Sequence, residues 1–230
     1  MAERGVMQIF TTKAKRYSKK MVKVLRADIA NKLKYGFKAP LYAERIWVRP
    51  KECKRVLLKA DEKGFRGMYS GMVVHSWPPI TGCINLKLLE YPKIKSCVDH
   101  WKYGIPWEDT EVYKYSEKRM LSSENGIYNN CKSIEDLIER YRQLDYIYQQ
   151  VKRENRIKAV KEFNPKAFRE EDGILIHIGP FGELYIGGSF HRFAMALVLN
   201  LKIVPAQIGC IHSDALIYLS KLRSKSIKTR

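Results

Sequence analysis

The run Gly187-Gly188-Ser189-Phe190-His191-Arg192 has the residue types and spacing most suited to chemistry in this chain. Two glycines closing an apolar stretch, a serine placed as N-cap and then an apolar helix leave a cluster of backbone N–H groups at the positive end of a helix dipole. Such a turn binds anions, and the missing Cβ atoms let a phosphate approach the backbone. Arg192 adds a guanidinium able to clamp phosphate oxygens in pairs, and His191 adds a titratable donor. Gly187, Gly188, Ser189, His191 and Arg192 are therefore the candidate phosphate site, with His191 as its candidate catalytic group. The plainer reading is that Gly-Gly between a strand and a helix meets a purely steric need.

Other groups carry weaker signals. Glu108, Asp109 and Glu111 lie beside Trp107, and Asp109 is where a general base or metal ligand would be sought; the same residues could simply cap a helix. His177 alternates with apolar residues and is expected to face solvent. His75, Trp77 and Trp107 read as packing residues, and Asp145 reads as a residue of a solvated helix face. Cys210-Ile211-His212 could supply two metal ligands, but with no second pair at zinc-type spacing no metal site is expected.

These residues must be held by a folded body, and the composition allows one. The chain has 230 residues, 45% of them hydrophobic, enough for one good-sized domain with a core and too apolar for a disordered basic tail. The formal charge of +19 suggests a polyanionic partner. The excess is confined to the ends: residues 1–60 carry a net +13, residues 61–220 a net +1, and residues 221–230 five basic and no acidic residues. The C-terminal run from Lys221 reads as a solvated tail. From Tyr17 to Tyr35, Met21, Leu25, Ile29 and Leu33 recur every four residues among lysines, which predicts a basic amphipathic helix. Lys19, Lys20, Lys23 and Arg26 are its candidate polyanion contacts, to DNA or to an anionic membrane surface. Alternatively the helix docks its apolar stripe on the domain and leaves the lysines in water.

The longest apolar run, Phe193 to Leu201, is interrupted by Asn200 and falls far short of the roughly 18 residues of a membrane span. The basic first 35 residues lack the apolar core of a secretory signal, and the five cysteines form no C-x-x-C pair, so reduced thiols in a cytoplasmic protein are expected.

Along the body, Ile46-Trp47-Val48 predicts a short strand, and Lys51 to Lys59 a helix begun by Pro50. Residues 61–132 read as a loop-rich insertion with one or two short helices. Ser133, with Asp136 three residues on, opens a helix that continues to about Glu154. Ile174 to Ile178 and Glu183 to Ile186 predict a hairpin around Gly179-Pro180-Phe181-Gly182, Phe190 to Leu199 a helix, Ile203 to Ile208 a strand, and Asp214 to Leu222 a closing helix.

Gly187 to Ala196, with Leu199-Asn200-Leu201 and Ile203-Val204-Pro205-Ala206, resembles the Gly-x-His-Arg, Ala-rich helix and "Ile-Pro-Ala" signature of the ParB/sulfiredoxin-like domain family. Ile46 to Pro50 resembles its opening "I-x-V-x-P" strand, and Ile134 to Val151 stands where its long helix belongs. Trp107 to Thr110, Tyr141…Asp145…Tyr148 and Ile208…His212 resemble a branch of the family that carries an insertion. The resemblance covers about Arg45 to His212. It implies an α+β fold, a small mixed sheet with helices, preceded by the helical arm of residues 1–44 and followed by the C-terminal helix and tail of 213–230. It also implies a nucleotide or phosphorylated small molecule held by Gly188, Ser189, His191 and Arg192, with ATP or CTP and Mg as the family's cofactors, and phosphotransfer or a nuclease-like activity among its reactions. Sulfiredoxin chemistry is not implied, because Ser189 or Phe190 stands where those enzymes need Cys. Gly187 or Gly188 replaces the acidic residue of the family's Asp-Gly-x-His-Arg form, which bears on Mg.

Overall fold

The computed structural model describes residues 2–59, 70–78, 83–122, 128 and 131–225; side chains are described from residue 18 onward, apart from those of Lys19 and Lys59. The chain is mixed α/β, with seven strands and seven α-helices among the described residues. The strands are β1 (Arg45–Val48), β2 (Cys53–Lys59), β3 (Val73–Val74), β4 (Cys83–Lys87), β5 (Leu175–Ile178), β6 (Leu184–Gly188) and β7 (Val204–His212). They form one mixed sheet in the order β1-β7-β5-β6-β2-β4, with β3 also on β7. β7 pairs antiparallel with β1 and parallel with β5, and all nine of its residues are buried. The hairpin expected around Gly179 to Gly182 is present as the antiparallel pair β5 and β6.

The helices are α1 (Ala2–Tyr35), α2 (Pro92–Tyr103), α3 (Glu111–Ser122), α4 (Ile134–Glu154), α5 (Val160–Phe163), α6 (Phe190–Val198) and α7 (Leu219–Arg223). α4 begins and ends as its sequence predicts. The Ser133 hydroxyl accepts from the Asp136 amide at 3.2 Å, the Asp136 carboxylate accepts from the Lys132 amide at 2.8 Å, and Asn155 closes the helix in the left-handed conformation. α6 is apolar because it is enclosed: Phe193, Ala194, Met195 and Ala196 are buried between the sheet and helices α2 and α4.

Three expectations are corrected. Residues 53–59 form a strand, not a helix. Cys53, Val56 and Leu57 are buried at a helix-like spacing, but the slot between β6 and β4 takes up the backbone hydrogen bonds of a strand, with a register shift between Cys53 and Arg55. Pro50 opens only a single 3₁₀ turn, Pro50–Glu52. The segment read as a loop-rich insertion has the short helices expected of it, α2 and α3, but it also supplies strands β3 and β4 to the sheet, and Ile94 of α2 lies in the main core with Ile176, Ile186 and Phe193. The basic C-terminal run is not wholly a solvated tail. Arg223 bonds both carboxylate oxygens of Glu44 and the carbonyls of Lys38 and Ala39 (2.9 Å each), fastening the root of the arm; residues 226–230 lie outside the described residues.

α1 is longer than its predicted span and docks by the opposite face. Val24 is buried, the Asp28 carboxylate accepts from the Tyr42 amide (2.7 Å) and pairs with Arg169 (2.7 Å), and Asn31 donates to the carbonyls of Pro40 (2.9 Å) and Gly71 (2.7 Å). Of the stripe expected to dock, Met21 is half-buried, while Leu25, Ile29 and Leu33 are exposed, as is Val22.

Candidate functional site

The β5–β6 hairpin sets the position of the glycine turn. Both strands are buried throughout, so His177 points into the protein and not to solvent. Its ring occupies a slot between two glycines: a Cβ on Gly187 would stand 2.1 Å from Nε2, and one on Gly209 would stand 2.3 Å from Nδ1. Nδ1 accepts from the Cys210 amide at 2.9 Å. Burial pushes the imidazole pKa down to about 3, so the ring is neutral at ordinary pH. Gly187 is therefore required by packing against His177, and the strand runs on through Gly188 instead of breaking at the glycines.

Ser189 starts α6 in the left-handed conformation (φ 56°) and its side chain does not cap the helix, contrary to expectation. Its hydroxyl donates instead to the carbonyl of Gly173 at 2.9 Å and reaches that of Asp172 at 3.3 Å. The Arg192 guanidinium donates to the same Asp172 carbonyl. The start of α6 is thus strapped to the loop 169–173, in which Arg169 (φ 53°) and Asp172 (φ 67°) are also left-handed. Each such residue costs on the order of 1 kcal/mol and persists only where its surroundings hold it. Gly173 follows because a Cβ there would meet the Glu170 carbonyl oxygen at 2.8 Å. The Glu170 carboxylate is buried and accepts from the Val160 amide at 2.9 Å. Burial pushes its pKa up, and the hydrogen bond and the nearby Arg45 and Arg192 oppose the shift.

Two cavities meet at this strap. The larger, about 560 Å³, has an apolar wall of Leu144, Ile147, Val151, Ile157, Phe163 and Met195, and Arg156, Lys158, His191 and Arg192 supply its cationic and titratable groups. The Arg192 guanidinium stands 5.7 Å from the centre of the Phe163 ring. Arg156 pairs with Glu162 at 2.7 Å and Lys158 with Glu154 at 2.6 Å. These pairs are solvent-exposed and individually weak, so an arriving phosphate can exchange them. The smaller cavity, about 270 Å³, is polar and bounded by Tyr42, Glu171, Asp172, Gly188 and Gln207; Ser189 and Arg192 border both cavities.

The structure brings Gly188, Ser189, His191 and Arg192 together, whereas Gly187 lines neither cavity. Asp109, the candidate base, also lines neither; it is exposed on the 3₁₀ turn Trp107–Asp109. Among the described residues, no group of three or more His, Cys, Asp or Glu side chains is placed to hold a metal ion, and none of the five cysteines forms a disulfide. Of the arm residues, Lys20 pairs with Glu171, Lys23 and Arg26 are exposed, and the side chain of Lys19 lies outside those described.

Sequence reasoning passed over Arg156, Lys158 and Phe163 because they sit in an aperiodic charged connector. Their signal was proximity to the end of the clearest helix, whose Asn155 cap turns the chain back toward α6. It also misjudged Asp145. Half-buried, it accepts from the indole N–H groups of Trp101 (2.8 Å) and Trp107 (3.0 Å) and faces Nε2 of His100 at 3.1 Å, tying α4 to the segment 100–107.

Compared with known proteins, the chain matches no family model, no curated protein and no solved structure.

Proposed function

We propose that this chain is a ParB/sulfiredoxin-like protein that binds a nucleotide, or another phosphorylated molecule with an apolar body, in the 560 Å³ cavity beside the start of α6. The observation that carries this reading is the pairing of an apolar wall with four basic side chains, Arg156, Lys158, His191 and Arg192, at one opening. Phe163, exposed and within cation–π distance of Arg192, offers a face for a base to stack on. Arg156, Lys158 and Arg192 supply fixed charge for phosphate oxygens, and His191 supplies a donor. The three left-handed residues at the strap support the reading because such backbone strain gathers at ligand sites.

The residues fit ATP or CTP better than they fit a magnesium site. Glu154 is the carboxylate lining the larger cavity, and it is engaged with Lys158; Glu171 and Asp172 face the smaller one. Charge neutralisation here falls to the protein's own cations. Calorimetric titration of ATP, CTP and inorganic phosphate tests the proposal. Wild type should bind a nucleotide more tightly than phosphate, and Lys158→Ala and Arg192→Ala should each weaken it about tenfold, the size of one charge-assisted contact. Absence of nucleotide binding by wild type, or equal binding by all three proteins, sinks it.

A further inference from the structure

We infer that α1 is an interfacial helix that lays its outer face on an anionic lipid surface, a role separate from ligand binding in the cavity. At about 100° per residue, Lys20, Val24, Asp28 and Asn31 occupy the side turned to the domain, where they are buried or bonded. Val22, Leu25, Ile29 and Leu33 fall roughly 140° away around the helix. Leu25 is 49% exposed, Ile29 58% and Leu33 83%, and among the described residues nothing covers them. Phe37, in the turn one residue past the Gly36 cap, is 95% exposed as well. From Val22 to Leu33 the helix thus presents an apolar line about 16 Å long, calculated at helical rise.

Charge decides what the line can meet. Lys23, Arg26, Lys32, Lys34 and Lys38 are exposed along it. The only acidic residue between 18 and 38 is Asp28, which is buried against Arg169. A second copy laying the same face here would set lysines against lysines with no carboxylate between them. A nucleic-acid backbone would satisfy the lysines but leave the apolar stripe in water. An anionic bilayer accepts both at once: side chains such as Leu25, Ile29, Leu33 and Phe37 enter the acyl boundary while the lysines extend to the headgroups. The docked face is held by ion pairs and amide hydrogen bonds, so this contact leaves the domain's own packing untouched.

The test is flotation of the full-length protein with phosphatidylcholine vesicles, with and without phosphatidylserine, for wild type, Ile29→Glu/Leu33→Glu and Lys23→Ala/Lys34→Ala. All four residues are exposed, so each variant should keep the wild-type melting temperature and nucleotide affinity. Wild type should float with the phosphatidylserine vesicles and be released by salt. The glutamate variant should lose about tenfold or more in vesicle affinity, and the alanine variant should lose its preference for the anionic lipid. The inference falls if wild type stays unbound with both vesicle types, or if the glutamate variant floats as well as wild type. It also falls if the glutamate change instead dissolves a dimer seen by sedimentation, or abolishes binding to duplex DNA, without altering flotation.

Discussion

α1 and α4 are both amphipathic helices, and they dock in opposite senses. α4 turns Leu137, Tyr141 and Tyr148 inward and leaves its charged residues in water. α1 turns Asp28, Asn31 and Lys20 toward the domain and leaves Leu25, Ile29 and Leu33 outside. The difference follows from what each helix meets. α4 packs on the apolar surfaces of α3 and α6, where burial of side chains is the stabilising term. α1 meets backbone carbonyls, the Tyr42 amide and the charged loop 169–172, where hydrogen-bonding groups are what the surface can pair. A helix docked by its polar side keeps its apolar side for another partner. α1 also touches the ligand-site loop directly, Lys20 pairing with Glu171 and Asp28 with Arg169, and the connector after it adds the Tyr42 hydroxyl, which donates to Glu171 at 2.8 Å.

This contrast can be broken by substitution. Leu137→Ala on α4 should cost about 2–5 kcal/mol in global unfolding by urea, the range for emptying a buried leucine site. A loss below about 1 kcal/mol would mean that α4 is not held by its apolar face.

Acid probes the face of the sheet turned away from α6, where His177 lies beside Cys210 and Gly187. His177 has a pKa of about 3 in the fold against an ordinary 6.5, so between those values the unfolded chain binds a proton that the folded chain refuses. Stability should therefore fall as pH is lowered through this window, by up to about 1.4 kcal/mol per unit. His177→Gln should show a shallower dependence in the same titration, and an unchanged slope would remove His177 as the cause. Gly187→Ala forces a Cβ onto the same ring and should destabilise by about 1–3 kcal/mol or more. If that variant melts like wild type and only ligand binding fails, Gly187 serves the ligand and not His177.

On the polar-docked side, Asp28→Ala strips Arg169 and the Tyr42 amide of a partner. It should weaken α1 docking by about 1–3 kcal/mol, seen as faster amide exchange over residues 18–35 while β5 to β7 stay protected. Leu33→Ser should change stability by less than about 0.5 kcal/mol, as for other exposed positions. A larger loss would show that the stripe is covered after all.

Much of the fold was legible in local pattern. The Ser133–Asp136 capping box, the β5–β6 hairpin and the apolar run of α6 each carry their signal within a few residues. β2 was not legible, because the apolar positions 53, 56 and 57 follow a helical spacing and only the gap between β6 and β4 makes the segment a strand. The candidate site was half legible. His191 and Arg192 announce themselves beside the glycines, whereas Phe163 and Lys158 reach the cavity only through the turn at Asn155. Gly187 was noticed for its anion chemistry, but the neighbour that demands it, His177, lies ten residues away on the partner strand.

Residue order alone established that the excess charge sits at the two ends, that residues from Tyr17 on form a basic helix with one apolar stripe, and that a strand, two glycines and a His-Arg helix follow one another. Periodicity says which side chains share a face and nothing about what that face will touch. Packing decided that α1 docks by Asp28, that His177 fills a slot made by two glycines, and that connector and helix enclose a cavity. Each of these depends on groups far apart in the chain that meet only when burial and hydrogen bonding are satisfied together.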